Sequence, residues 1–205
     1  MLGVAGCGGS RDDVDGDVTT TSTTSTSLSE PTTATSTGGN GAGSSTTTTS
    51  TAGSAFQGST TPTSAPAPPD TEVALLADVR VAGQQGFDRV VFEFADSQLP
   101  GYDISYLDGP AIQDGSGEEV EVAGGSALEV RLAPASGVDL RRGTFEPTYT
   151  GQRRVRGDTE VVTEVVRTGD FEANLTWVIG LDEMVPYRVE VLSNPARVVI
   201  DLAVA

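Results

Sequence analysis

The sequence predicts an all-β fold, an antiparallel β-sandwich or barrel, preceded by a disordered Ser/Thr-rich linker. Three observations predict it. Apolar residues alternate with period two in six separate stretches of the C-terminal two thirds. Turn signals separate these stretches at short spacing. Between them there is no long window with helical periodicity.

Each element follows from its own pattern. Val73, Leu75, Ala77, Val79 and Val81 share one strand face, with Glu72, Asp78 and Arg80 opposite. Val90, Phe92 and Phe94 alternate with Arg89, Val91 and Glu93. Leu128, Val130 and Leu132 alternate with Ala127, Glu129 and Arg131. Leu175, Trp177, Ile179 and Leu181 form the most apolar face. Val189 and Val191 mark a fifth strand, and Val198, Ile200 and Leu202 a sixth. Each pattern fits a strand with one face in the core and one in water. Turns are expected at Gly83 to Gly86, Leu99-Pro100-Gly101, Asp108-Gly109-Pro110, Asp114 to Gly117, Gly124-Gly125, Gly169-Asp170 and Asn194-Pro195. One stretch breaks the rhythm: Pro134 to Thr159 is polar and Gly/Pro-interrupted, and reads as a long excursion with one short edge strand.

The 205 residues divide into three parts: an anchor-like start over 1–17, a linker over 18–69 and a β-domain over 70–205. The linker is dominated by Thr and Ser, and only Leu28 and Phe56 are bulky and apolar. Such a segment buries too little surface to offset its ordering entropy. As a flexible coil it reaches on the order of 40 Å. Thr/Ser with Pro is also the composition of O-glycosylated stalks. Nowhere does an apolar run reach the length of a membrane-spanning helix.

Composition excludes several chemistries. The chain has no His, one Cys and no Lys; all twelve of its cations are arginines, against 29 Asp and Glu, for a formal charge of -17. A Cys/His zinc site, a His-dependent triad and a lysine-bearing phosphate loop are therefore out. A lone cysteine forms no internal disulfide. The acidic balance opposes nucleic-acid binding. No cofactor and no metal are expected.

Val4-Ala5-Gly6-Cys7 resembles a bacterial lipobox, in which small residues flank the scissile bond and the cysteine thiol takes a lipid. Only six residues precede Cys7, fewer than the apolar run of roughly 7–15 residues that a secretory signal needs. The expectation is that the true start lies further upstream. Cys7 is the expected lipidation site, placing the protein on the outer face of the cell membrane.

A second resemblance covers the whole β-domain. It is carried by Gly86-Phe87-Asp88-Arg89-Val90-Val91-Phe92-Glu93-Phe94, Pro147-Thr148-Tyr149-Thr150-Gly151 and Thr163-Glu164-Val165-Val166. Gly169-Asp170-Phe171-Glu172, Leu175-Thr176-Trp177-Val178-Ile179-Gly180-Leu181 and Pro186-Tyr187-Arg188-Val189 continue it, and Asn194-Pro195-Ala196-Arg197-Val198-Val199-Ile200-Asp201-Leu202 ends it. In this order they resemble the AMIN-like domain of actinobacterial lipoproteins and secreted proteins. The resemblance implies a β-sandwich module that positions an envelope protein at the wall. It implies no catalytic residue.

The candidate ligand-binding residues are Arg141, Arg142, Arg153, Arg154 and Arg156, with Tyr149 among them. Guanidinium groups bind carboxylate or phosphate bidentately, and a tyrosine face can stack on sugar. The plainer alternative pairs these arginines with nearby Asp and Glu. Glu118-Glu119 and Glu121 read as solvated charges, and Asp114-Gly115-Ser116-Gly117-Glu118 as a turn. Asp13-Val14-Asp15-Gly16-Asp17 lacks the later ligands of a calcium loop and reads as an acidic spacer. Trp177 is expected in the core, and Arg197 and Asp201 as surface charges. The expected function is a non-enzymatic envelope lipoprotein binding cell-wall glycan or an envelope protein. The alternatives are a carboxylate-dependent glycan hydrolase or a purely structural surface protein.

Overall fold

A computed structural model describes residues 56–141 and 143–205. Among them there are fifteen strands and no helix. A six-stranded sheet runs β1 (Thr63–Ala65), β4 (Gly101–Tyr106), β7 (Ser126–Ala133), β13 (Asn174–Leu181), β12 (Val162–Phe171), β11 (Arg154–Arg156), with every pair antiparallel. A five-stranded sheet runs β14 (Tyr187–Leu192), β15 (Arg197–Ala203), β3 (Phe87–Phe94), β2 (Ala74–Gln84), β8 (Ala135–Ser136). Its pairs are antiparallel except β2 with β8, which is parallel. Two ribbons complete the fold: β5 (Ala111–Ile112) with β6 (Glu119–Val120), and β9 (Val138–Asp139) with β10 (Glu146–Pro147).

The core lies between the two large sheets. Val90, Phe92 and Phe94 of β3 and Val198, Ile200 and Leu202 of β15 are buried with Leu128, Val130 and Leu132 of β7 and Leu175, Trp177, Ile179 and Leu181 of β13. These are the alternating faces that the sequence predicts. Phe92 meets Trp177 across the core, ring centroids 5.9 Å apart. Each such fully buried large side chain contributes about 1.5–3 kcal/mol. Asp88 ties the layers together: its buried Oδ2 accepts hydrogen bonds from the Val161 and Val162 amides at 2.7 and 3.0 Å.

Several expectations need correction. In β2 a register shift between Leu76 and Asp78 inserts a bulge, so Leu76 joins Val79 in the central cluster, while Leu75 is buried outside that cluster and Ala77 is half-buried. Strand β13 buries Thr176 and Val178 as well as its expected face; on that outer side Asp114 accepts from the Thr176 hydroxyl, and Val122 and Ala123 lie against Gly180. Val191 is exposed, since β14 is an edge strand. Gly169-Asp170 is not a turn but lies inside β12, at another register shift. The excursion from Pro134 to Thr159 holds four short strands, not one.

The largest correction concerns the end of the linker. Residues 56–69 are part of the domain. Thr63–Ala65 pairs with β4, and Ser59 exchanges backbone hydrogen bonds with Tyr187 at 3.0 and 2.9 Å. The Tyr187 hydroxyl lies 2.8 Å from Thr61 O and 2.9 Å from Ile104 O, reaching from β14 to the strap and β4. Phe56 packs beneath the Arg188 guanidinium, 5.0 Å away. Main-chain pairing is open to any residue with a backbone N–H, so a Thr/Ser-rich composition does not exclude it. The acidic start, Cys7 and the linker up to residue 55 lie outside the described residues.

Candidate functional site

Beside the passage from β7 of the six-stranded sheet to β8 of the five-stranded one, residues of both sheets line one opening. Ala74 N donates to Pro134 O at 3.0 Å and Ala135 N to Ala173 O at 2.8 Å, fixing the crossing to β2 and to the β12–β13 turn. The opening is a cleft of about 630 Å³, within the usual range for ligand sites. Val73, Leu75, Val138, Leu140, Phe145 and Phe171 give it an apolar lining. Phe145, Phe171 and Leu140 are 82%, 65% and 54% exposed, three of the six large hydrophobic side chains exposed among the described residues. Clustered exposed apolar surface marks a site of interaction.

The polar groups of the cleft are largely committed to one another. Ser136 Oγ donates to Asp170 Oδ1 at 2.9 Å and accepts from Val138 N at 3.0 Å. Gly137 N donates to Asp170 Oδ2 at 3.0 Å. Arg167 Nη1 lies 3.7 Å from the same oxygen, and its guanidinium stands over the Tyr149 ring. A Cβ on Gly137 would sit 3.2 Å from both Asp170 Oδ2 and Tyr149 Cβ, so this packing favours glycine.

The cleft wall carries backbone strain. Strands β12 and β13 are joined by Glu172-Ala173 alone, with φ of 50° and 58°. Such two-residue turns favour Asn-Gly, because a Cβ at positive φ is costly. Strain of this kind clusters at functional sites. Asn174 Nδ2 supports the turn by donating to Glu172 O at 3.1 Å.

The five arginines expected to act together do not converge. Arg141 lines the cleft but forks onto Asp139, Nε to Oδ1 and Nη2 to Oδ2 both at 3.0 Å, with Asp96 3.4 Å from its Nη1. Its charge is therefore answered within the loop; hydrogen bonding to Asp139 raises its pKa further. Arg142 lies outside the described residues. Arg154 pairs with Glu164 and donates to Glu121 O at 2.9 Å, which places it on the β5–β6 side of the sheet. Arg156 is exposed on β11 and makes no ion pair among the described residues. Arg153 donates Nε to Arg167 O at 2.9 Å and has no carboxylate partner among the described residues.

Tyr149 corrects a second expectation. It is 6% exposed, stands edge-on to Trp177 at 5.5 Å and donates its hydroxyl proton to Gln152 O at 2.8 Å. It offers no free face to a sugar. Burial raises its pKa, although Arg167 pulls the other way. Trp177 is in the core as expected. Asp201, expected on the surface, is buried beneath Arg89 and Arg188.

Sequence reasoning missed Arg167, Leu140, Phe145 and Phe171. A signal was present: Leu140 and Phe145 are bulky apolar residues in a polar stretch without period-two partners. Among the described residues no group of three or more acidic, His or Cys side chains is gathered to hold a metal. The AMIN-like domain family matches residues 74–204. No curated protein and no solved structure matches the chain.

Proposed function

Since the chain belongs to the AMIN-like domain family, we propose that it is a non-enzymatic cell-envelope lipoprotein that holds an envelope component in the cleft between its sheets. The carrying observation is the cluster of Leu140, Phe145 and Phe171 around an apolar opening. Between the two expected ligands, the lining supports an envelope partner presenting an apolar group better than a wall glycan. The tyrosine that was to stack on sugar is buried, and Ser136, Asp170 and Arg141 are already bonded to neighbours. Both Asp170 oxygens are taken by the Ser136 hydroxyl and the Gly137 amide, beside the Arg167 guanidinium, which supports a structural part for it in the cleft. The lipid on Cys7 would hold the protein at the outer face of the membrane.

Retention of the full chain on purified cell wall and on envelope membranes tests this reading. Retention on at least one fraction is expected, with a drop of at least about tenfold for the double variant F145S/F171S, as for loss of anchors from a contact centre. Equal retention of the variant, or none by either fraction, would overturn it. Labelling with a fatty acid should disappear in Cys7→Ser; persistent label would reject the anchor.

A further inference from the structure

A second pocket shares part of the cleft's lining. Arg167 and Asp170 also line a smaller pocket of about 200 Å³, completed by Gln113, Arg153 and Gly169. Arg153 uses only Nε in a hydrogen bond, to Arg167 O, so its two terminal nitrogens are open for a ligand among the described residues. Gln113 Oε1 is a buried acceptor with no donor. Two carboxylates stand by this pocket and both are engaged: Asp170 is held by the Ser136 hydroxyl and the Gly137 amide, and Asp114, against Gly169, accepts from the Thr176 hydroxyl at 3.1 Å. Glu118, Glu119 and Glu121 flank Arg153 from the neighbouring groove, and none forms an ion pair with it.

An apolar cleft thus adjoins a polar pocket with an open guanidinium and an orphaned acceptor. Building on the reading that the cleft is the binding site, we propose that the ligand is a single-chain acyl glycerophosphate, taken up as a monomer. The acyl chain lies in the cleft beside Leu75, Val138 and Phe171. The phosphate meets Arg153 and Arg167. A glycerol hydroxyl supplies the donor that Gln113 Oε1 lacks. The chemistry decides for an acyl chain over a glycan or an extended peptide. Hydroxyls and amides entering the cleft would leave water for a lining with few uncommitted partners. Methylene groups lose nothing by the same move.

Calorimetry on the full chain, with lipid below its micelle concentration, tests the proposal. The probes are a myristoyl lysophosphatidic acid, the monoacylglycerol of the same chain and glycerol 3-phosphate. The phosphorylated lipid should bind at least about tenfold more tightly than the monoacylglycerol, and glycerol 3-phosphate should not bind measurably. Arg153→Gln should abolish the difference between the two lipids, while Phe171→Ser should weaken both. Phe171 is an exposed side chain, and an unchanged melting temperature for each variant separates ligand effects from misfolding. Equal binding of the two lipids would overturn the head-group pocket. Binding only to phosphatidic acid vesicles, and not to monomers, would overturn uptake of a single lipid. Absence of lipid binding with Phe145- and Phe171-dependent retention on envelope fractions would reject the ligand and leave the cleft. Absence of both would reject the two together.

Discussion

Arg89 holds Asp201 with two hydrogen bonds, Nε to Oδ1 at 2.6 Å and Nη2 to Oδ2 at 2.9 Å, directly across the β3–β15 pair. Arg188, opposite Asp201 on β14, adds Nε and Nη2 contacts at 3.0 and 2.8 Å to Oδ2. The three charges form a row across three strands. Both guanidinium groups also lie over Phe87, at 5.2 and 5.3 Å. Burial by itself would raise the Asp201 pKa, but hydrogen bonds and charge from Arg89 and Arg188 bring it below the ordinary carboxylate value.

The sign of the pH effect follows. A carboxylate whose folded pKa is depressed adds stability that is present above its unfolded pKa, near about 3.9. That stability is lost as pH falls through the lower folded value. Denaturant titrations should therefore show Asp201→Asn less stable than the parent at pH 7, by about 2–4 kcal/mol because the guanidinium groups are partly exposed. The gap should narrow below about pH 4. A constant gap across pH would show that the Asp201 charge does not contribute as described.

Asp88 is a buried carboxylate serving two backbone amides, those of Val161 and Val162. Asp88→Ala strands both donors away from water. A loss of about 2–5 kcal/mol is expected in chemical denaturation. Asp88→Asn keeps one acceptor oxygen and should lose less. Equal losses for the two variants would argue against the amide contacts as the source.

The Glu172-Ala173 turn is strained at both residues. Replacing it by Asn-Gly relieves that strain and should raise stability by about 1 kcal/mol or more in denaturant titration. An unchanged or lower midpoint would show that the turn conformation carries no strain.

Gly101 holds the strap in place by lacking a side chain. A Cβ there would lie 2.6 Å from Ala67 N and 2.8 Å from Ala65 O, and backbone on both sides leaves little room to yield. Gly101→Ala should therefore loosen β1 from β4. Hydrogen exchange would register this as at least about tenfold faster exchange at the paired amides of residues 63–65 and 102–104. Unaltered protection would mean that the strap is held from elsewhere.

Much of this molecule is legible along the chain. The alternation in β3, β7, β13 and β15 named the core-facing side chains correctly, because those strands keep an unbroken register; in β13 and β15 the other side is buried as well, by segments that the alternation does not reveal. It failed in β2, where a bulge changes the phase after Leu76. Strand β4 was missed because Tyr102, Ile104 and Tyr106 sit in a short polar stretch behind a turn signal. Strand β1 was missed because its pairing is entirely main-chain.

Composition and pattern by themselves determined the fold class, the central core and the exclusion of histidine, lysine and disulfide chemistry, while the family was legible only as a resemblance of ordered motifs. These are local properties: they depend on which residues are present and on a spacing of two. Tertiary structure alone decided the site. Proximity in sequence gathered five arginines, but strand pairing sent Arg154 to Glu164, folded Arg141 onto Asp139 and left Arg153 beside Arg167. Tyr149 went into the core, and Leu75, Phe145 and Phe171 met from three distant segments around one opening. A charge or a ring acts through what it touches, and contacts between distant segments exist only once the two sheets have closed on each other.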